Sequence, residues 1–243
     1  MPSKPNTIDP RLMGNFSSFQ SSTGLWRLKA RVAFRGLAWR CVVGGAKAIK
    51  RLLDIVVSTI ALLMLSPLLL FVALLVKLDG GPVIFAQTRV GRWGKEFKMF
   101  KFRSMRPDAE QRLAALLAAN QHSGGVTFKI KNDPRITRIG HYLRRYSIDE
   151  LPQFYNVLIG DMSLVGPRPP VPREVALYSL ADRRRLAVKP GITCIWQISG
   201  RAEIDFPGQV NLDVRYIESQ SLWEDIRILA RTLPAVLFGS GAY

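Results

Sequence analysis

The sequence predicts an α/β fold, mostly α with short strands. It also predicts a monotopic membrane protein, in which a re-entrant helix-break-helix hairpin carries one compact cytosolic domain. Three observations lead there. Ile55 to Val76 carries no charge, and as a helix it would reach roughly 33 Å, enough to cross the hydrocarbon core of a bilayer. Ser66-Pro67 interrupts that run, and basic residues stand on both sides of it. Downstream, short alternating stretches are interleaved with apolar residues at helical spacing, the pattern of strands and helices sharing one core.

Composition sets the frame. At 243 residues the chain is one domain with appendages, long enough to bury a core. Its net charge of +17 calls for an anionic partner: nucleic acid, lipid headgroups or a phosphorylated substrate. Cys41 and Cys194 are far apart and form no CxxC pair, which excludes a disulfide framework or a cysteine zinc site and suits a reducing compartment. His122 and His141 stand outside any ligand or nucleophile pattern and read as loop or surface residues. No GxGxxG or GxxxxGK[ST] motif is present, so dinucleotide and P-loop chemistry have no support.

Four segments follow in order. Residues 1–24 are rich in Ser, Pro, Asn and Thr and poor in apolar residues, which predicts a disordered arm without a signal-peptide core. Residues 25–49 form a basic amphipathic segment in which Arg27, Arg31 and Arg35 alternate with Leu28, Val32 and Leu37. Residues 50–78 are the membrane hairpin. Pro67 removes a helix hydrogen bond and clashes with the preceding turn, so the helix breaks there, and Ser66 is placed to satisfy part of the freed backbone. Lys47, Lys50 and Arg51 precede the run, and Lys77, Arg89 and Arg92 follow it. Positive charge at both ends contradicts a spanning helix and fits one that turns and leaves by the face it entered.

Residues 79–243 make the compact domain. Val83 to Phe85 and Lys95 to Arg103 read as strands joined by a turn at Gly91 to Gly94, with Phe100 and Phe102 on one face and Lys101 and Arg103 on the other. Pro107 to Asn120 reads as a helix, Val126 to Lys131 as a half-buried strand, and the stretch ending in Arg144-Arg145 as a helix. Gly166-Pro167-Arg168-Pro169-Pro170 is a rigid loop whose prolines hold Arg168 ready. Lys189 to Thr193 and Gln197 to Arg201 read as turns. Leu222, Ile226, Leu229 and Leu233 define an apolar stripe on a last helix that Pro234 stops.

The chemistry centres on Ser147-Ile148-Asp149-Glu150, two adjacent carboxylates in a basic chain. Ser147 and Glu150 have the spacing of a capping box, which would place Asp149 in a first helical turn where the dipole favours its ionised form. An ionised carboxylate is what nucleophilic attack at phosphorus needs. Lys50-Arg51, Ser66-Pro67, Lys101-Phe102-Arg103-Ser104-Met105, Asp133-Pro134-Arg135, Asp149-Glu150-Leu151-Pro152-Gln153, Gly160-Asp161-Met162-Ser163, Val165-Gly166-Pro167-Arg168-Pro169 and Lys189-Pro190-Gly191-Ile192-Thr193 run in one order over about residues 50–243. Together they resemble the bacterial sugar transferases, the monotopic phosphoglycosyl transferases that begin polysaccharide and glycoconjugate assembly.

That resemblance implies transfer of a sugar 1-phosphate from a UDP-sugar to undecaprenyl phosphate, with release of UMP and a requirement for Mg²⁺. It implies Asp149 as the covalent nucleophile, Glu150 as its partner in a catalytic dyad, and the pair as the metal ligands. Around a diphosphate the expected clamps are Arg144, Arg168 and Lys101. The C-terminal tail and Ile195 to Arg201 resemble members that handle hexose 1-phosphates such as glucose or galactose. The implied partners are the UDP-sugar, undecaprenyl phosphate and lipid of the bacterial inner membrane, with the catalytic domain on the cytoplasmic face. A second copy of the chain, as a homodimer, is a candidate partner and nucleic acid is not, since no nucleic-acid-binding module is recognisable. The alternative is a catalytically inactive membrane scaffold of the same fold.

Overall fold

The computed structural model describes residues 22–109, 111, 133–200 and 204–238. The arm up to residue 21, most of the helix expected at Pro107 to Asn120, and the strand expected at Val126 to Lys131 lie outside the described residues. The chain divides into two compact units, Met1–Ile49 and Lys50–Tyr243. Helix α1, Ser22–Met64, runs through the first unit into the second.

In the second unit α1 is followed by α2, Ser66–Leu78, and Gly44–Met64 meets α2 at a bend of 62°. The break has the cause the sequence indicates. Pro67 has no N–H for the carbonyl of Leu63, and the Ser66 hydroxyl donates to that carbonyl at 2.8 Å instead. Among the described residues no single helix is long and apolar enough to cross a membrane, whereas this bent pair passes on length and composition. Leu63, Met64, Leu70, Phe71, Leu74 and Leu78 are exposed.

The base of the pair is fastened to the rest of the unit by polar groups. Lys50 donates to Asp225 at 2.6 Å, and Arg51 donates to the carbonyls of Val157 and Leu158 at 2.6 and 2.8 Å. Those carbonyls lie in the last turn of the helix Gln153–Ile159, where a cation is favoured. Asp54, buried, accepts from Ser163 Oγ and Leu164 N at 3.1 and 3.0 Å. On the second arm Val72 and Val76 pack with Phe102 and Leu143, with Ile148 against the same cluster.

Strands β1, Ile84–Val90, and β2, Glu96–Phe102, form an antiparallel hairpin in the register Ile84↔Phe102 to Val90↔Glu96. Strand β2 and the 3₁₀ turn Arg92–Gly94 stand where the sequence indicates, whereas β1 runs five residues beyond the expected Val83 to Phe85. Phe102 is buried, but so is Arg103, whose guanidinium donates to the Val76 carbonyl at 3.0 Å at the end of α2. Helix α3, Arg138–Arg145, is capped by Thr137, whose hydroxyl accepts from Gly140 N at 2.9 Å. Gly140 lies so close to the backbone of Ser104 that a Cβ would collide with it, which lets α3 rest directly on the segment leaving β2.

Helix α4, Gln153–Ile159, joins that layer through Asn156. Its fully buried amide accepts from Phe100 N at 2.9 Å and donates to the Lys98 carbonyl at 2.7 Å, acting as a surrogate strand on the free edge of β2. Strands β3, Ser163–Val165, and β4, Gly191–Thr193, pair in parallel between Ser163↔Gly191 and Val165↔Thr193. Helices α5, Pro172–Ala176, α6, Ile195–Ser199, α7, Phe206–Ser219, and α8, Leu222–Phe238, complete the unit with the 3₁₀ segment Asp182–Ala187. The main core gathers Met99, Val157, Met162, Leu164, Val165, Tyr216 and Ile228.

Three expectations are corrected. The segments read as turns at Lys189 to Thr193 and Gln197 to Arg201 hold β4 and the last three residues of α6, elements too short to show a period. Pro234 does not stop the last helix, which continues to Phe238; the proline is exposed, so water can satisfy the carbonyl it leaves free. The buried face of α8 carries Asp225 and Ile228, while Ile226 and Leu233 of the expected stripe are exposed. The helix is rotated because Asp225 turns inward to Lys50 and to the Tyr216 hydroxyl, which donates to it at 2.6 Å.

Candidate active site

The carboxylate pair sits on the 3₁₀ turn Ile148–Glu150 between α3 and α4, not in the first turn of an α-helix. The expected capping box is absent. Ser147 has φ 55° and ψ 22°, and its side chain makes no cap bond. A serine in the left-handed region costs of order 1–2 kcal/mol. This kink reverses the chain after α3 and sends the two neighbouring carboxylates into different surroundings.

Glu150 is held. Lys101 Nζ donates to its Oε1 at 2.5 Å, and Arg168 Nη1 stands 3.9 Å from the same oxygen. Burial alone would raise the Glu150 carboxyl, but Lys101 and Arg168 together outweigh it and keep the group below the usual carboxylate range. Asp149 is only 7% exposed and, among the described residues, its carboxylate has no hydrogen-bond or ion-pair partner. Burial raises its proton affinity above the ordinary value, with the negative charge of Glu150 adding to it. Lys101, Arg144 and Arg168 pull the other way without overcoming it. The ionised form that a helix dipole was expected to favour is therefore disfavoured by burial.

Arg168 is positioned by its backbone neighbours. The Pro167 carbonyl accepts from Gly191 N at 3.0 Å, Pro169 O from Arg89 Nη1 at 2.8 Å, and Pro170 O from Val90 N at 2.9 Å. The loop is thus pinned to β4 on one side and to the end of β1 on the other. Gly166 and Gly191 pass so closely that a Cβ on either would collide with the other strand's backbone, and this close crossing sets the height of Arg168.

A pocket opens beside the pair, lined by Arg89, Met99, Lys101, Glu150, Gln153, Arg168, Pro169, Gly191, Ile192 and Gln197. Three of the five expected site residues, Lys101, Glu150 and Arg168, share this wall. Asp149 and Arg144 do not line it. Arg144, on the last turn of α3, is close enough to lower the proton affinity of Asp149. Ser66 and Pro67 belong to the helix break and not to the pocket.

Sequence reasoning missed Arg89, Gln153 and Gln197 as pocket residues. Arg89 is buried, with Nε and Nη2 on Gln87 Oε1 at 3.0 and 2.6 Å; burial, with Arg168 beside it, brings its guanidinium down to about 10, still protonated at neutral pH. A Gln-x-Arg spacing on one strand face was the available signal. Among the described residues no group of three or more His, Cys, Asp or Glu forms a metal cage. Carboxylates are the ligand type that Mg²⁺ takes, one or two of them together with substrate phosphate oxygens, but Glu150 would first have to release Lys101 to serve as one.

Arg89, Lys101 and Arg168 around one pocket, with Glu150 on the same wall, make a site suited to a phosphorylated substrate. The chain belongs to the bacterial sugar transferase family, whose profile matches residues 45–239. It is 55% identical over 194 residues to the galactosyl transferase CpsE of Streptococcus agalactiae, covering 79% of this chain and 43% of that protein. It is 45% identical to an undecaprenyl-phosphate galactose phosphotransferase of Salmonella typhimurium, over 82% of this chain and 42% of the relative. It is 41% identical to the exopolysaccharide production protein ExoY of Rhizobium meliloti, over 80% of this chain and 88% of the relative. The chain thus spans under half the length of the first two relatives and most of the third.

Two outcomes follow from the turn and the pair. Ser147→Thr, harmless to a capping box, should lower stability by roughly 1–2 kcal/mol because a β-branched residue resists the left-handed region, while Ser147→Asn should leave it within about 0.5 kcal/mol; denaturant unfolding of the detergent-solubilised chain separates them. For pH, a raised Asp149 carboxyl is ionised only above its elevated value, so any reaction needing the anion fails as pH falls through it. Removing the ammonium in Lys101→Met should push the acid limb of the pH–rate profile to higher pH, and an unshifted limb would contradict the assigned electrostatics.

Proposed function

We propose that this chain transfers a hexose 1-phosphate, of glucose or galactose, from a UDP-sugar to undecaprenyl phosphate and releases UMP. The reaction is the first membrane step of polysaccharide or glycoconjugate assembly, at the cytoplasmic face of the bacterial inner membrane. The observation that carries the reading is the division of the carboxylate pair: Glu150 is locked by Lys101, whereas Asp149 has no partner among the described residues. Names of relatives that handle galactose and glucose on undecaprenyl phosphate support the substrate class.

The steps run as two displacements at one phosphorus. An Asp149 oxygen attacks the phosphorus that bears the sugar. The bridging P–O bond breaks with its electron pair going to UMP, leaving a phosphosugar on the carboxylate. An oxygen of undecaprenyl phosphate then attacks the same phosphorus and expels the Asp149 carboxylate, giving the lipid diphosphate sugar. Each step moves negative charge toward Lys101, Arg168 and Arg144, whose fixed cations offset it without reorganisation. Mg²⁺, held by Asp149 and Glu150, would neutralise diphosphate charge during attack. The bent apolar pair α1–α2, lying re-entrant in one leaflet, would bring lipid phosphate to the turn because Ile148 packs against the cluster containing Val72 and Val76.

A second reading exchanges the roles, since Glu150 and not Asp149 lines the pocket. It is disfavoured because Glu150 must first leave Lys101. The test is UMP release by purified chain in detergent with Mg²⁺, undecaprenyl phosphate and a panel of UDP-sugars. One UDP-hexose should give lipid-dependent release that falls at least about 1000-fold in Asp149→Asn, as expected when a covalent nucleophile is lost. No release from any donor would favour an inactive scaffold.

A further inference from the structure

The transfer reading leaves the two pocket glutamines, Gln153 and Gln197, without a role. Gln197, on the short helix α6, is half-buried and lines the pocket together with the cations. Its Oε1 is already used: the thiol of Cys194, one turn earlier, donates to it at 3.1 Å. Cys194 is 2% exposed, and burial holds its thiol well above the ordinary value, so the S–H stays in place as a donor. In this arrangement the oxygen is the end of the Gln197 amide that faces Cys194. The remaining end, the Nε2 amino group, has no hydrogen-bond partner among the described residues.

We infer that Gln197 Nε2 donates a hydrogen bond to a hydroxyl oxygen of the donor's hexose, and that Cys194 is the positioning residue that presents it. This deepens the proposed function and rests on its assignment of a UDP-hexose to the pocket. The chemistry selects the sugar over the phosphates. Arg89, Lys101 and Arg168 already supply charged donors for phosphate oxygens, while a neutral amide suits a neutral polar group. A site that donates to a specific hydroxyl also discriminates between sugars, because a misplaced hydroxyl leaves the amide unpaired.

The experiment is calorimetric binding to the full chain in detergent, in an Asp149→Asn background that prevents turnover, with UDP-glucose, UDP-galactose and UMP as probes. In the parent, one UDP-hexose should bind more tightly than the other. Gln197→Ala should weaken that hexose about 10-fold, reduce the difference between the two sugars, and leave UMP unchanged. Cys194→Ala should produce a smaller loss of the same pattern, and Cys194→Ser, whose hydroxyl restores the donor, should return binding to within about twofold of the parent. A general structural defect would weaken all three probes alike. Equal losses for UMP and UDP-hexose, or unchanged UDP-hexose binding in Gln197→Ala, overturn the inference. Binding to an unreactive variant does not depend on whether transfer occurs, so this result and the UMP-release result fail separately.

Discussion

The ammonium of Lys101 is the interaction on which the site depends. Two carboxylates on consecutive residues repel one another, and a basic chain could neutralise both. Here a single cation at 2.5 Å takes Glu150 and leaves Asp149 alone. That arrangement requires Lys101 at a fixed height, which the β1–β2 register and the Asn156 amide on the edge of β2 provide. It also requires the chain to turn abruptly after α3, which the left-handed Ser147 accomplishes. Strain and burial thereby produce a difference in proton affinity that the residue types alone do not contain.

The same scaffold links the apolar pair to the site. Lys50 and Arg51 look like an interfacial charge flank in the sequence, yet they and Asp54 are each committed to a partner in the domain: Asp225, the α4 carbonyls, and β3. Charges at that position serve anchoring as well as any headgroup. With Arg103 on the Val76 carbonyl at the other arm, both arms of the pair are tied by polar contacts to the rest of the unit.

Much of this was legible in the residues. The Ser66-Pro67 break, the β1–β2 hairpin and its turn, and the helix ending at Arg144-Arg145 follow from proline chemistry and from periods long enough to read. Lys101, Glu150 and Arg168 do meet. What failed had physical reasons. Strands of three residues and a five-residue helix carry no measurable period, so β3, β4 and α6 were read as turns or passed over, and Gln197 went with them. The Ser147-x-x-Glu150 spacing suggests a capping box, but Glu150 is drawn instead to Lys101, 49 residues away in sequence. Burial of Asp149 and the inward turn of Asp225 likewise depend on neighbours that sequence spacing does not reveal.

The most direct test of the central claim is to locate the covalent intermediate. The chain would be quenched rapidly after mixing with UDP-hexose and Mg²⁺ in the absence of undecaprenyl phosphate, then digested and mapped by fragment-ion mass spectrometry. A hexose-phosphate mass addition on Asp149, discharged when undecaprenyl phosphate is added before quenching, is the predicted result. The same addition on Glu150, or UMP release with no adduct on either carboxylate, would contradict the account.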